Sequence, residues 1–261
     1  MTVKCGDFVG ERAELYGKIL HNYPNTRKEE VDINMKIFNP KKGEKILEIG
    51  SGSGLYTTVL ANYVTASGEV VATDPSGDQL KTILSGIYKN IRTIQSGAHQ
   101  LLENKDLSKE LGSFDGIWSL GAFHHCMNKS QAFYNFSQLL KPKGRIFICD
   151  VFSGSEFARY FDTEVAKYST TGHEVAYLTE EFFESLCFLF GLSNPKLHHI
   201  DYPWSFKTLN EMTQFMCHLH GLSRVPHEHA LQSLEQFFEV EQISDRVILH
   251  VPLTIFEAYK K

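Results

Sequence analysis

A chain of 261 residues that is 42% hydrophobic can bury one large core or two small ones. A net charge of −5 and a pI near 6.2 argue against nucleic-acid binding, whose phosphate contacts need clustered Lys and Arg. No run approaches the ~18 apolar residues of a membrane span. Cys5, Cys126, Cys149, Cys187 and Cys217 form no C-x-x-C pair, and the opening residues carry no apolar signal core; together these predict a reducing, cytoplasmic setting.

Taken in order, Leu15 with Ile19 and Tyr16 with Leu20 stand at helical spacing and predict a helix over Glu11–His21. A second helix is predicted over residues 27–38, and Asn39–Gly43 is a turn. Lys45–Ile49 is a short apolar run, which reads as a buried central strand of a parallel sheet. Gly50, Gly52 and Gly54 follow at spacing two around Ser51 and Ser53, and a helix then runs to about Val64. Strand, glycine turn and helix start make an anion-binding corner, because backbone approaches a ligand there without a Cβ and offers unpaired N–H groups. Glu69–Thr73 is the second strand, and Asp74 ends it about twenty residues beyond the glycines, where a carboxylate can accept from both ribose hydroxyls.

Gln79–Tyr88 is a predicted helix and Ile91–Gln95 the third strand, followed by Ser96–His99. Ser113–Leu120 holds the fourth strand, with His124 and His125 just past its carboxyl end, where an open parallel sheet binds ligands. Ala132–Leu140 is a helix, Lys141–Gly144 a turn and Arg145–Cys149 the fifth strand. Helices are predicted over Glu156–Tyr168 and from Thr179 to Gly191, with strands at Lys196–Tyr202 and Val247–Phe256. Pro252 suits an edge or bulge better than a central strand. Residues 203–244 carry two helical patterns, Leu209–Leu219 and Ala230–Phe238, rich in aromatic residues and methionine. Most of these side chains are expected in the core between the added helices and the sheet; Trp204 and Phe206 are expected to face a substrate pocket, with this insert setting ligand choice and leaving the glycine corner alone.

Two ligands use a corner of this kind, a dinucleotide pyrophosphate or S-adenosylmethionine. The nicotinamide fingerprint needs Gly or Ala at its sixth position, and Leu55 stands there. Glu48, Gly50, Gly52 and Gly54, then Asp74, then Phe114-Asp115 and Leu140-Lys141-Pro142-Lys143-Gly144, resemble the class I S-adenosylmethionine-dependent methyltransferases. The likeness is nearest to the small-molecule group that includes the ubiquinone and menaquinone C-methylating enzymes. It implies an α/β fold, a doubly wound, mostly parallel seven-stranded Rossmann-like sheet in a single domain over 1–261, with cap elements at 1–35, 151–176 and 203–244. It implies S-adenosylmethionine as cofactor and S-adenosylhomocysteine as product. Cofactor contacts are implied at Glu48, Gly50, Ser51, Gly52, Gly54, Asp74, Pro75, Gly97, Ala98, His99 and Leu120, and at Tyr16 through a lid. Gly97 stands where the family often has an acid, so the adenine contact departs from the pattern.

His124 and His125 are the candidate bases, since imidazole accepts a proton near neutral pH; rings that merely close the site are the alternative. No metal is expected: His124-His125-Cys126 diverge, and His218, His220, His227 and His229 fit no zinc spacing. The expected partner is a small-molecule acceptor with an O, N or C nucleophile, with no nucleic acid and no membrane span; a homodimer is compatible. A protein or RNA methyltransferase, a cofactor-binding homologue that transfers nothing, and a nicotinamide oxidoreductase remain open alternatives.

Overall fold

The computed structural model describes residues 8–83, 87–169, 174–222 and 224–261. Its strands are β1 (Lys45–Ile49), β2 (Glu69–Asp74), β3 (Ile91–Gln95), β4 (Phe114–Leu120), β5 (Leu140–Asp150), β6 (Lys196–Phe206), β7 (Glu239–Ile243) and β8 (Arg246–Tyr259). Its helices are α1 (Glu11–Asn22), α2 (Lys28–Phe38), α3 (Leu55–Val64), α4 (Gly77–Leu80), α5 (Lys129–Leu139), α6 (Glu156–Tyr160), α7 (Ala166–Tyr168), α8 (Glu180–Leu189), α9 (Leu209–His220) and α10 (His227–Phe237). No helix among the described residues is long and apolar enough to cross a membrane.

The sheet runs β3-β2-β1-β4-β5-β8-β6, parallel from β3 to β5 and antiparallel where β8 meets β5 and β6. This is the doubly wound α/β fold that the strand–helix alternation predicts. Both faces are covered, so successive residues of β1 enter opposite cores. Ile46 joins Phe38, Tyr56, Trp118 and Phe147 on one face; Leu47 joins Phe133, Phe136, Phe183 and Phe256 on the other. Trp118 and Phe147 stack with ring centroids 4.4 Å apart.

Several expectations are corrected. The sheet has eight strands, because β7 pairs with the first part of β8. β6 continues to Phe206, so Trp204 and Phe206 are strand residues rather than the start of an insert loop. The Lys141–Gly144 turn is a bulge inside β5, where the register with β4 jumps and Lys143 takes φ 65°. The helix expected over Gln79–Tyr88 is the single turn of α4; residues 84–86 lie outside the described residues. Pro252 sits in a central strand, but in a gap. On one side β8 pairs with β7 up to His250 and with β5 only from Thr254, so no ladder partner on that side meets the proline. Of the three expected caps, residues 1–7, 170–173 and 223 fall outside the described residues. As expected, most of the aromatic and methionine content of 203–244 is core: Met212, Phe215, Met216, Phe237 and Phe238 are all buried.

Candidate functional site

β1 ends in the glycine turn. Gly50, Gly52 and Gly54 all take positive φ (67°, 53° and 90°), which L side chains rarely adopt. A Cβ on Gly50 would stand 2.3 Å from the Cβ of Ala122, so only glycine lets the loop after β4 come this close. At the end of β2, Asp74 accepts from the Gly52 N–H (3.0 Å) and the Ser76 N–H (2.8 Å). Burial pushes its carboxyl up against those two bonds.

Beneath the turn lies a small cavity lined by Glu48, Gly50, Ser51, Leu120, Tyr16 and Arg27, among others. Ser51 and Trp118 also line it, and their hydroxyl and indole N–H are buried with no hydrogen-bond partner among the described residues. Glu48 is buried and accepts from the Thr57 hydroxyl (2.5 Å). Burial pushes its carboxyl up to about 8; the Thr57 bond opposes this and the Asp74 charge adds to it. An acid whose desolvation outweighs its hydrogen bond keeps its proton.

The N-terminal segment closes this corner. The Ser76 hydroxyl donates to the Phe8 carbonyl, and the Gly10 N–H donates to Asp78 (3.1 Å). Tyr16 on α1 then reaches the glycines: a Cβ on Gly52 would touch its ring at 3.5 Å. Phe8 sits edge-on to both Tyr16 (5.1 Å) and His125 (5.8 Å).

Across Tyr16 and Leu120 opens a second cleft, with a volume of about 90 Å³. Its walls include Phe157, Phe161, Val165, Trp204, His124 and His125. Phe161–Val165 is a π-helical turn between α6 and α7, so one expected helix carries a bulge at the cleft wall. His124 donates its backbone N–H to Asp150 (2.9 Å), and its Nδ1 lies 2.6 Å from the other carboxylate oxygen. Burial pushes Asp150 up, but His124 and the Val151 N–H outweigh it, so the carboxyl is held below its ordinary value. An ionised Asp150 places the imidazole proton on Nδ1, which leaves Nε2 as the basic nitrogen.

A buried polar knot joins the two cavities. Glu30, fully buried, accepts from Arg27 Nε (3.1 Å) and Nη2 (2.5 Å), from the Tyr56 hydroxyl (2.6 Å) and from Trp204 Nε1 (2.6 Å). Arg27 lies over the Trp204 ring (4.8 Å) and lines both cavities.

The expected residues therefore fall in groups. Glu48, Gly50, Ser51, Leu120 and Tyr16 share the small cavity, with Gly52 and Gly54 in the turn beside it and Asp74, at the end of β2, bonded to that turn. Pro75, Gly97, Ala98 and His99 lie along the ends of β2 and β3 and line neither cavity; the Pro75 carbonyl accepts from Gln95 (2.9 Å) and that of Ala98 from Asn135 (3.1 Å). Trp204 lines the larger cleft and Phe206 does not. The insert is not independent of the small cavity either, since Trp204 holds Glu30, which holds Arg27. Arg27, Glu30, Trp118 and Asp150 were not anticipated. Asp150 carried a usable signal: it ends β5 as Asp74 ends β2.

Residues 47–148 match a family model described as "Methyltransferase domain". An arsenite methyltransferase of Aquipseudomonas alcaligenes is 28% identical over 163 residues, covering 59% of this chain and 46% of the relative. The ubiquinone/menaquinone biosynthesis C-methyltransferase UbiE of Idiomarina loihiensis is 30% identical over 115 residues, 42% of this chain and 43% of the relative. The chain thus spans less than half the length of these relatives. A phosphoethanolamine N-methyltransferase 2 of Haemonchus contortus, solved with S-adenosyl-L-methionine, superposes with a TM-score of 0.64 at 18% identity, over 99% of this chain and 60% of that one.

Proposed function

We propose that this chain, which carries a class I S-adenosylmethionine-dependent methyltransferase domain on the corresponding fold, transfers a methyl group from that cofactor to a small-molecule acceptor. The observation that carries the reading is the pair of cavities meeting at Tyr16 and Leu120: one small and polar under the glycine turn, one larger and aromatic beside His124. The buried, unpartnered Ser51 hydroxyl and Trp118 N–H, with three glycines at positive φ, fit a polar ligand held close to backbone. When bound, S-adenosylmethionine supplies a methyl group already activated by a sulfonium.

The protein's part is alignment and water exclusion, which can supply ~7–11 kcal/mol. Asp74 is the candidate for the ribose hydroxyls, exchanging them for its own bonds to Gly52 and Ser76. Pro75, Gly97, Ala98 and His99 continue that edge toward the adenine. Phe157, Phe161 and Trp204 give the acceptor a dry, apolar wall. His124, oriented by Asp150, takes a proton at Nε2 where the nucleophile must lose one. His125 stands against it at 4.2 Å between ring centroids and shapes the cleft. In this reading the described parts of the expected caps, within 8–35, 151–169 and 203–244, flank the site as parts of one domain.

Calorimetry tests this directly. S-adenosylmethionine and S-adenosylhomocysteine should bind at micromolar scale and NAD should not. Heat with NAD and none with either sulfur ligand refutes the reading. Labelled methyl transfer into a cell extract, read by mass spectrometry, then identifies the acceptor.

A further inference from the structure

We propose that the larger cleft takes as its acceptor a flat aromatic molecule carrying an anionic oxygen group, a carboxylate or a phosphate, and that Arg12 reads that group; this rests on the methyltransferase reading above. The cleft separates its chemistry along its length. At one end lies Leu120, shared with the small cavity, with His124 just past the same strand. Phe161 comes next, its ring 5.7 Å from that of His124 and 5.0 Å from that of His220. His220 ends α9, and there Arg12 donates from Nη1 to the His218 carbonyl (3.0 Å) and from Nη2 to the Leu219 carbonyl (2.5 Å). Carbonyls at a helix C-terminus carry partial negative charge; they orient a guanidinium and leave its full charge standing. Gly221 makes room for it: φ is 69°, and a Cβ there would stand 2.9 Å from Arg12 Nε. The lining is one-sided in sign. Two arginines and three histidines border the cleft, and no aspartate or glutamate among the described residues does. Arg27 is offset by buried Glu30, so Arg12 is the cation positioned for an acid at the far end. Its field reaches the junction of the cavities: burial pushes the Tyr16 hydroxyl up, and the charges of Arg27 and then Arg12 oppose it. Phe157 and Phe161, stacked at 4.8 Å, and Trp204 add aromatic faces for a flat ring. An acid held at Arg12 turns the opposite edge of that ring toward His124.

The test measures probe binding by ligand-observed NMR on the full chain saturated with S-adenosylhomocysteine. The probes are benzoate and phenyl phosphate, neutral benzamide, cationic benzylamine, and acetate as an anion without a ring. Wild type should bind at least one of the two aromatic anions roughly tenfold or more tighter than benzamide, the range of a charge-assisted hydrogen bond, and tighter still than benzylamine or acetate. The tighter anion identifies the group. Arg12→Gln keeps a donor for the Leu219 carbonyl and removes the charge, so the ratio should collapse to within about threefold, with benzamide held within about twofold. Arg12→Lys, which keeps the charge and loses the fork, should fall between. The wild-type ranking decides the acceptor class whatever the variants do: benzamide, benzylamine or acetate binding as tightly as both aromatic anions, or no probe binding, overturns it. A ratio that survives in both variants overturns the role of Arg12. Wild type that does not bind S-adenosylhomocysteine overturns the cofactor reading instead, and the ranking taken without it still judges the cleft.

Discussion

Glu48→Gln should make the ligand-free protein more stable and the cofactor complex weaker. In the folded chain the Glu48 carboxyl holds its proton up to about 8, because burial and the Asp74 charge outweigh the Thr57 bond. The unfolded chain releases the same proton at its ordinary value of 4.5. Between those values unfolding frees about one proton, so rising pH favours the unfolded state. Stability is therefore full below the unfolded value and declines toward pH 8, by about 1.4 kcal/mol per pH unit. At pH 7 the accumulated cost is about 3 kcal/mol, an upper bound that any water in the cavity reduces. Glutamine cannot ionise and still accepts from Thr57, so the variant should recover most of that at pH 7 and nothing below about pH 5. Urea midpoints of both proteins at pH 5, 6, 7 and 8 measure it, without ligand. A variant no more stable than wild type at pH 7, with a parallel pH profile, would show that Glu48 is ionised and hydrated in the folded chain.

Asp74→Ala should lower both S-adenosylhomocysteine affinity and stability, since the Gly52 and Ser76 N–H groups lose their acceptor at about 1–3 kcal/mol for each that stays buried; Asp74→Asn should recover part of the stability in urea melts. His124→Ala and Asp150→Asn should slow methyl transfer by about 10²–10⁴-fold, with S-adenosylhomocysteine affinity within about twofold; a parallel loss of affinity would contradict a proton-transfer role. Trp204→Phe removes one donor from buried Glu30 and should cost about 1–3 kcal/mol in a urea melt. It should also weaken cofactor binding through Arg27, and unchanged cofactor affinity in calorimetry would break that link.

What the sequence revealed was local. The run from Lys45 to Leu55 and the acid at Asp74 could be read because a buried strand, a tight turn and a helix start each leave a short-range mark. The polar knot left no such mark. Arg27 and Glu30 stand at i and i+3 across the start of a helix, a pattern usually found on a solvated face, and only the arrival of Trp204 and Tyr56 makes it a buried site. β7 escaped notice because Glu239–Ile243 is polar and largely exposed, so it reads as loop. The strand expected to end at Tyr202 runs on, because the alternation of Tyr202, Trp204 and Phe206 continues through Pro203 to a buried face. The pairing of His124 with Asp150 needed β4 and β5 to be neighbours in register, which no local pattern gives.

The position of β8 has a consequence for the order of assembly. β6 and β7 pair with β8 alone, and β8 lies between β6 and β5. The five parallel strands can form by successive crossovers between near neighbours in sequence. Everything after Asp150 has to wait, because no strand there meets the β5 edge until β8 is in hand. Closing that long loop is entropically costly and slows the step relative to the local pairings. An early species should thus carry β1–β5 with the β5 edge bare, a template for pairing between molecules. Pulsed hydrogen exchange should show amides of β6, β7 and β8 gaining protection together, after those of β1 and β4. Refolding yield should fall as protein concentration rises.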